Sequence, residues 1–265
     1  MCKLKSGLLF KAGVFVPDYD SHDRMLQEKG IEDTAENRAM GKYIRFELSP
    51  KNDDPFTPVS SWVFRIDQDE LPEWYEADPG KYEQMAREAV EKWASKRIFV
   101  GKEIAEIKQG ENYYLKDCTV GTVSRDTIIA DMRGSSAVQN MRDSSVVRNM
   151  LDSSAVQNMW ESSVVQNMLD SSVVQDMWGS SVVQDMWGSS VVQDMRDSSA
   201  VRNMRGRSAV RDMRDSSVVQ DMWDNSVVQN MRDSSVVRNL YEKSIAICRG
   251  KSVIYVSSDF PVKLQ

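Results

Sequence analysis

A nine-residue unit repeats without interruption through the second half of the chain, and this repetition constrains the fold more than any other feature. Aligned on its methionine, the unit occurs twelve times from Met132 to Met231, and Leu240 replaces the methionine in a thirteenth copy. Residues 171–187, for example, read SSVVQDMWGSSVVQDMW. A short fixed period is typical of a solenoid, in which each repeat buries its inner face by stacking on its neighbours.

Variation among the copies indicates which positions face the interior. With the methionine as position one, the serine at position five is constant from Ser136 to Ser244 and the valine at position seven from Val138 to Val237. Positions two and eight vary instead. Constant and variable positions alternate from five to eight, which is the side-chain geometry of a strand, and adjoining β-branched residues disfavour a helix. We therefore expect positions one, five and seven to be buried, and positions three and four, mostly Asp-Ser or Gly-Ser, to form a turn.

These features predict a parallel β-solenoid, right-handed, with two nonapeptides per coil. Residues eighteen apart would then lie above one another, and about seven coils spaced ~4.8 Å apart would give a length of about 35 Å. A three-sided coil of three nonapeptides is the competing geometry. A calcium-binding β-roll needs paired glycines in each turn, which this sequence lacks. Position nine, asparagine or aspartate as in Asn140 and Asp176, is expected at a corner because stacked buried aspartates would repel each other.

Composition divides the chain into a small α+β head domain over residues 1–112, the solenoid over 113–248 and a capping strand or tail over 249–265. In the head, LLFKAGVFV (8–16), YIRFEL from Tyr43 and WVFRID from Trp62 are predicted to form antiparallel strands.

Three helices are predicted in the same domain. The longest begins at Pro79 with Asp78 as its N-cap, and it carries an apolar face. Shorter helices are expected from Ser21 to Lys29 and from Thr34, the latter capped by Asp33.

The sequence contains no recognised catalytic or metal-binding spacing, so we predict a protein without metal or cofactor that is not an enzyme. The single histidine, His22, is interpreted as the solvated start of a helix. The three cysteines lack any C-x-x-C spacing and are expected to be reduced thiols; they are Cys2, Cys118 and Cys248. An enzyme that uses only acids of the head is the remaining catalytic alternative, with candidates Asp67, Asp69 and Glu73.

The cellular location is predicted to be the cytoplasm. No apolar run approaches the ~20 residues of a membrane span. The apolar stretch near the first residue meets Lys11 almost at once, which disfavours a secretory signal.

Position two supplies the candidate binding residues. With eighteen residues per coil these side chains form two outward columns. The first column is Arg142, Trp160, Trp178, Arg196, Arg214 and Arg232; the second column is Arg133, Leu151, Leu169, Trp187, Arg205, Trp223 and Tyr241. Tryptophan and arginine are enriched at binding hot spots and also attract each other by cation–π contact, so recognition of a partner and packing between coils both remain open. The predicted binding residues of the columns are Trp160, Trp178, Trp187, Trp223, Arg196, Arg205 and Arg214.

Charge is distributed unevenly along the repeats. No lysine or arginine occurs from Glu161 to Asp194, whereas six arginines lie from Arg196 to Arg214. This basic band could bind nucleic acid, but a net charge of −6 and a pI near 5.1 favour a protein partner. The repeats from Met132 to Asn239 carry thirteen acids against eleven arginines, which also argues against mimicry of DNA.

An acidic loop in the head is the second candidate surface. It covers residues 67–76, and its predicted binding residues are Asp69, Glu70, Glu73 and Trp74.

The D-S-S-V-V repeats over residues 114–247 and, less specifically, WVFRIDQDELPEWY in the head resemble uncharacterised bacterial and prophage-type proteins with a small globular head before a short β-solenoid. The resemblance implies an architecture and no catalytic residues. Our leading hypothesis is a non-enzymatic macromolecular binding protein, acting in the host cytoplasm as a phage or mobile-element inhibitor of a host defence system, of the anti-CRISPR or anti-restriction type. A self-associating scaffold, with a homodimer as its simplest form, is the alternative.

Overall fold

The chain folds into two units, divided between Ile98 and Phe99. The structure is a computed structural model that describes residues 5–249 and 251–254. Its first unit is an α+β head and its second a parallel β-solenoid, as the sequence predicts.

The head contains one four-stranded antiparallel sheet and four helices. Its elements are β1 (Lys5–Phe10), β2 (Gly13–Phe15), α1 (His22–Glu28), α2 (Ala35–Ala39), β3 (Ile44–Ser49), β4 (Val63–Ile66), α3 (Glu73–Glu76) and α4 (Pro79–Ala94), with 3₁₀ turns at Lys51–Asp53 and Val59–Ser61. The strand order is β2-β1-β3-β4. All three predicted strand segments are confirmed, the first of them as the β1–β2 hairpin.

The core of the head lies between this sheet and the helices. Ile44, Phe46 and Leu48 alternate with half-exposed residues along β3 and are fully buried. Helix α4 begins as predicted, with Pro79 in its first turn and the Asp78 side chain accepting a hydrogen bond from the Lys81 backbone N–H at 3.1 Å. This cap satisfies one of the amides that a helix leaves unpaired at its first turn.

Two predictions about the short helices are wrong in detail. The cap of α2 is Thr34, whose hydroxyl accepts from the Asn37 backbone N–H, because the carboxylate of Asp33 binds Tyr43 and Arg45 instead. Helix α1 begins at His22, and Ser21, predicted as its first residue, is its N-cap; His22 is buried rather than solvated, with its ring Nε2 3.2 Å from the Phe46 carbonyl oxygen.

The solenoid consists of short strands that alternate between two parallel sheets. The strands of the nine-stranded sheet are β6 (Glu103–Ile107), β8 (Thr119–Val123), β10 (Ala137–Met141), β12 (Ala155–Met159), β14 (Val173–Met177), β16 (Val191–Met195), β18 (Ala209–Met213), β20 (Val227–Met231) and β22 (Ile245–Cys248). The strands of the ten-stranded sheet are β5 (Ile98–Val100), β7 (Gly110–Lys116), β9 (Thr127–Arg133), β11 (Val146–Met150), β13 (Val164–Met168), β15 (Val182–Met186), β17 (Ala200–Met204), β19 (Val218–Met222), β21 (Val236–Leu240) and β23 (Val253–Ile254).

Each coil contains two nonapeptides. Val138 pairs with Val156 and Val156 with Val174, so every strand lies in register with the strand eighteen residues further on. The three-sided alternative is therefore wrong, while the handedness of the coil stays a prediction. Ten stacked strands correspond to a sheet about 43 Å across, somewhat longer than the predicted 35 Å.

The interior is built from the three constant positions. Every methionine from Met132 to Met231, every valine from Val138 to Val237 and every serine from Ser136 to Ser235 has a fully buried side chain. The prediction for positions one, five and seven is thereby confirmed. Methionine suits this setting because its flexible chain fills irregular space between two closely apposed sheets.

Position three makes the turn. Residues there have φ from +53° to +68°, which only glycine, asparagine and aspartate adopt at low cost, and this explains the Asp or Gly that most copies carry. The aspartate carboxylates at position three also accept hydrogen bonds from the backbone N–H of position three in the preceding coil. The Asp197 backbone N–H donates to the Asp215 carboxylate one coil further on (3.2 Å), and the Asp215 N–H donates likewise to Asp233 (3.3 Å).

The domain boundaries differ from those predicted. The solenoid begins with β5 at Ile98 rather than at residue 113, because Ile104 and Ile107 pair with Val120 and Val123 although the S-S-V-V letters are missing there. At the other end, Val253 and Ile254 extend the ten-stranded sheet beyond residue 248. The rest of the expected capping tail, 255–265, lies outside the described residues.

Position nine is not at a corner. Asn140 lies within β10, pairs with Asn158 and is half-buried. The alternation of inward and outward side chains breaks between positions eight and nine. Both of these side chains therefore lie on the outer side of the strand, and the methionine that follows is buried. The asparagines form a ladder in which the Asn158 side-chain amide donates to Asn140 Oδ1 at 3.2 Å. Partial contact with water and these amide bonds make the stack tolerable.

Candidate functional site: the two outward columns

The second-position columns exist as predicted, and the backbone fixes their spacing. The N–H of Trp160 donates to the Met141 carbonyl and that of Trp178 to the Met159 carbonyl, both at 2.9 Å. Each second-position residue therefore leaves its strand at an equivalent point of successive coils. Side chains eighteen residues apart are thus presented one above the other.

Aromatic stacking covers the rings of the first column. Trp160 and Trp178 stack with centroids 5.4 Å apart and planes 11° from parallel. The guanidinium carbon of Arg196 lies 4.4 Å from the Trp178 ring. Since the stack places these neighbours one coil before and one coil after Trp178, both faces of its ring are occupied from within the chain, and its indole Nε1–H is buried without a hydrogen-bond partner.

The second column leaves more surface open. Arg205 lies 4.7 Å from the ring of Trp187, and Trp223 stacks on Tyr241 with centroids 3.9 Å apart. Trp187 remains 39% exposed and is the single tryptophan of the described residues in the exposed class. The structure thus separates tryptophans that serve packing from one that a partner could reach.

Three arginines of the following coil accompany this exposed tryptophan. Strand β15 ends immediately before Trp187 and pairs with β17, which contains Arg202 and ends immediately before Arg205. Arg202, Arg205 and Arg207 are all exposed. We call Trp187, Arg202, Arg205 and Arg207 the Trp187 patch. It combines a large apolar ring with guanidinium groups that pair with carboxylates.

A run of three aspartates flanks the first column. Asp176 pairs with Asp194 and Asp194 with Asp212 at position nine of the nine-stranded sheet. Burial raises the pKa of Asp176 above its ordinary value, the Asp194 carboxylate acts in the same direction, and Arg196 opposes them. Arg214 also approaches Asp194, at 3.8 Å.

The predicted binding residues of the acidic loop of the head combine three exposed carboxylates with a half-buried tryptophan. Asp69, Glu70 and Glu73 are exposed. Trp74 is half-buried, donates its indole N–H to the Gly41 carbonyl at 2.8 Å and packs edge-on against Tyr82 with centroids 4.7 Å apart. Its ring therefore stabilises the head, which leaves the three carboxylates as the open part of this loop.

Sequence reasoning missed one grouping. Asp67, proposed with Asp69 and Glu73 as a catalytic acid, lies against His22 and Glu47. Their separation in the sequence gave no signal of this proximity. Among the cysteines, Cys118 and Cys248 are free thiols as predicted, while Cys2 lies outside the described residues.

The fold and the columns define a β-solenoid repeat protein with a patterned outer surface. No protein-family model, curated protein or solved structure matches this chain significantly. Within residues 5–249 and 251–254, no helix is long and apolar enough to cross a membrane.

Proposed function

We propose that the protein is a non-enzymatic binding protein whose solenoid engages an acidic surface of a protein partner through the Trp187 patch. The observation that carries the proposal is the exposure of Trp187 with Arg205 already stacked on its ring. A ring and a guanidinium fixed before binding lose little conformational entropy when a partner arrives. Tryptophan and arginine are also the residue types that most often dominate binding energy.

The charge of the surrounding coil supports this proposal. Six arginines lie between Arg196 and Arg214, and two acids accompany them in that stretch, Asp197 and Asp212. Such a band attracts anionic surfaces over about 8–10 Å, the Debye length of physiological salt. The net charge of −6 for the whole chain disfavours general nucleic-acid binding, so a protein is the favoured partner.

The finer hypothesis is that this partner belongs to a host defence system and that the protein is a phage or mobile-element inhibitor acting in the cytoplasm. Its support is the resemblance of the repeats to prophage-type proteins. This hypothesis is tested by identifying the partner that the protein recovers from a lysate, which should be a nuclease or another component of a defence system.

Affinity purification from bacterial lysate, read out by mass spectrometry, tests the patch. We expect Trp187→Ala and Arg205→Glu each to abolish recovery of the specific partner while the melting temperature changes little. The matched control is Trp178→Phe, which retains a stacked ring in the neighbouring column and should retain the partner. Equal recovery by the wild type and the two patch variants would remove the Trp187 patch from the function.

Self-association is the second candidate, and the exposed residues of β22 favour it. Ile245 is 53% and Ile247 is 44% exposed on the terminal strand of the nine-stranded sheet in the described part of the chain. Apolar side chains at the last strand of a sheet promote edge-to-edge pairing. Multi-angle light scattering over a hundredfold concentration range decides the matter, because a constant monomer mass excludes this function.

A further inference from the structure

We propose that the head binds a divalent transition-metal ion, with Zn²⁺ as the representative, through His22, Glu47 and Asp67. These residues come from three separate elements: the first turn of α1, the middle of β3 and the residue that follows β4. One potential ligand atom from each lies within 4.8 Å of the other two. This site is independent of the Trp187 patch and of the function proposed for the solenoid.

The hydrogen bonding of His22 directs one ring nitrogen toward the carboxylates. Its Nε2 lies 3.2 Å from the Phe46 carbonyl oxygen, which can only accept, so Nε2 carries the proton. In the neutral ring Nδ1 then holds a lone pair, and it lies 3.3 Å from Asp67 Oδ2. Two electron-pair donors at that separation need a cation between them, either a proton or a metal ion.

The observed separation fits a metal ion. Bonds of about 2.0–2.1 Å in a tetrahedral zinc site place neighbouring ligand atoms roughly 3.3–3.4 Å apart. Nδ1 and Asp67 Oδ2 already have this spacing, and a carboxylate oxygen of Glu47 lies within 4.8 Å of a potential ligand atom of each of these two residues. The bond from Nε2–H to a backbone carbonyl is the outer-shell contact that commonly orients a metal-binding histidine.

Burial and ligand type indicate the class of ion. His22 is 7% exposed, Glu47 is half-buried and the Asp67 side chain is 52% exposed, so the ion would have an anchored nitrogen ligand and one side open to water. One imidazole with two carboxylates suits Zn²⁺ and related transition metals better than Mg²⁺, which prefers oxygen ligands alone.

Arg45 is the positive charge that a metal ion would have to tolerate. Its Nε lies 4.0 Å from Asp67 Oδ2 but donates to the Asp67 backbone carbonyl at 3.0 Å. Its terminal nitrogen binds Asp33 Oδ2 at 3.1 Å. Arg45 is therefore held by other partners, and both carboxylates of the site remain able to bind a cation.

Calorimetric titration with ZnCl₂ tests the proposal on the full chain without a histidine tag. The titration is made in a Cys2→Ser, Cys248→Ser background, because thiols bind zinc themselves. We expect one ion per chain, and at least a tenfold loss of affinity in Glu47→Gln and in Asp67→Asn. The exposed carboxylate Asp69 supplies the matched control, and Asp69→Asn should bind like the parent.

A second readout makes the result specific to the site. His22 is the single histidine of the chain, so one imidazole appears in long-range ¹H–¹⁵N spectra, and saturation with Zn²⁺ should shift its Nδ1 resonance while Nε2 stays protonated. Circular dichroism of the metal-free variants confirms that they are folded. Absence of stoichiometric binding, undiminished binding by both carboxylate variants, or coordination through Nε2 would each overturn the proposal.

Discussion

The run of aspartates on the nine-stranded sheet makes a quantitative prediction: Asp194→Asn should stabilise the solenoid. Asp194 lies between Asp176 and Asp212 in register, at the ~4.8 Å spacing of adjacent strands. Two unit charges ~5 Å apart repel by about 0.8 kcal/mol in water and by about 3 kcal/mol at an effective dielectric constant of ~20. The substitution removes two such contacts at once.

The ten-stranded sheet shows which hydrogen bond the side-chain amide introduced by Asp194→Asn could make. Asn203 donates its side-chain N–H to Asp185 Oδ1 one coil earlier, at 2.9 Å. An asparagine at position 194 can donate to Asp176 in the same way. The loss of the 3.8 Å contact with Arg214 costs about 0–1 kcal/mol, because both groups are partly exposed. The arginines already offset part of the repulsion, so we expect a net stabilisation of about 1 kcal/mol at pH 7.

Asp185→Asn is the matched control, since Asp185 has the same neighbours in sequence but lies between Asn167 and Asn203. It relieves no repulsion, and we expect a change within about 0.5 kcal/mol. Thermal and urea unfolding of the two variants and the wild type give the comparison. Equal stabilisation by both variants, or destabilisation by Asp194→Asn, would refute the electrostatic argument.

The pH dependence of this gain has a definite sign. The pKa of Asp176 is raised above its ordinary value of 3.8, so folding disfavours its charged form. The contribution of Asp176 to stability is therefore lost as the pH rises through the raised pKa, and it returns as this carboxyl becomes protonated in acid. The advantage of Asp194→Asn should be full at pH 7 and should shrink as the pH falls toward 3.8.

Three further predictions concern the coils, each measured as the change in free energy of unfolding. Ser163→Ala should be neutral or stabilising, because the buried hydroxyl of Ser163 has no hydrogen-bond partner. Ser136→Ala should cost about 1 kcal/mol, because the Ser136 hydroxyl donates to the Arg133 carbonyl. Equal losses of stability in the two variants would contradict this prediction. Gly188→Ala should cost about 1–2 kcal/mol or more, as φ is +67° and the new methyl would lie 2.9 Å from a backbone oxygen; a neutral result would exclude the strain. Asp215→Ala should cost about 1–2 kcal/mol by removing the cap on the Asp197 amide and placing alanine at positive φ, and Asp215→Gly should recover part of that loss.

The interior of the solenoid was predictable because the repeats supply their own comparison. Twelve copies keep methionine at position one and valine at position seven, and a position that keeps valine through twelve copies is expected to lie inside. The same comparison failed before Gly110, where Ile104 and Ile107 occupy equivalent interior places with different neighbours. A sheet requires apolar residues at the buried positions, and it does not require the letters around them to repeat.

For the outer surface, the sequence predicted the spacing of the side chains along each column but not which of them are exposed. The sequence places Trp178 and Trp187 in columns, but their exposure depends on the residues one coil away. Trp178 lies between Trp160 and Arg196, whereas Trp187 has a leucine, Leu169, at the equivalent position one coil earlier and Arg205 on its ring, and it is 39% exposed. The grouping of His22 with Asp67 was not predictable at all, since it depends on how α1 lies against the sheet.

In a repeat protein of this kind, specificity has to come from positions that break the period. Positions one, five and seven present nearly the same chemistry in every coil, so they cannot distinguish one part of the solenoid from another. Position two changes between arginine, leucine and tryptophan, and position nine between asparagine and aspartate. Among the described residues, the ten-stranded sheet pairs no two aspartates at position nine, yet the nine-stranded sheet pairs three in succession beside Arg196 and Arg214. We expect an asparagine to be more stable there, so on the outer face this chain departs from the most stable version of its own repeat at a position that distinguishes one coil from the next.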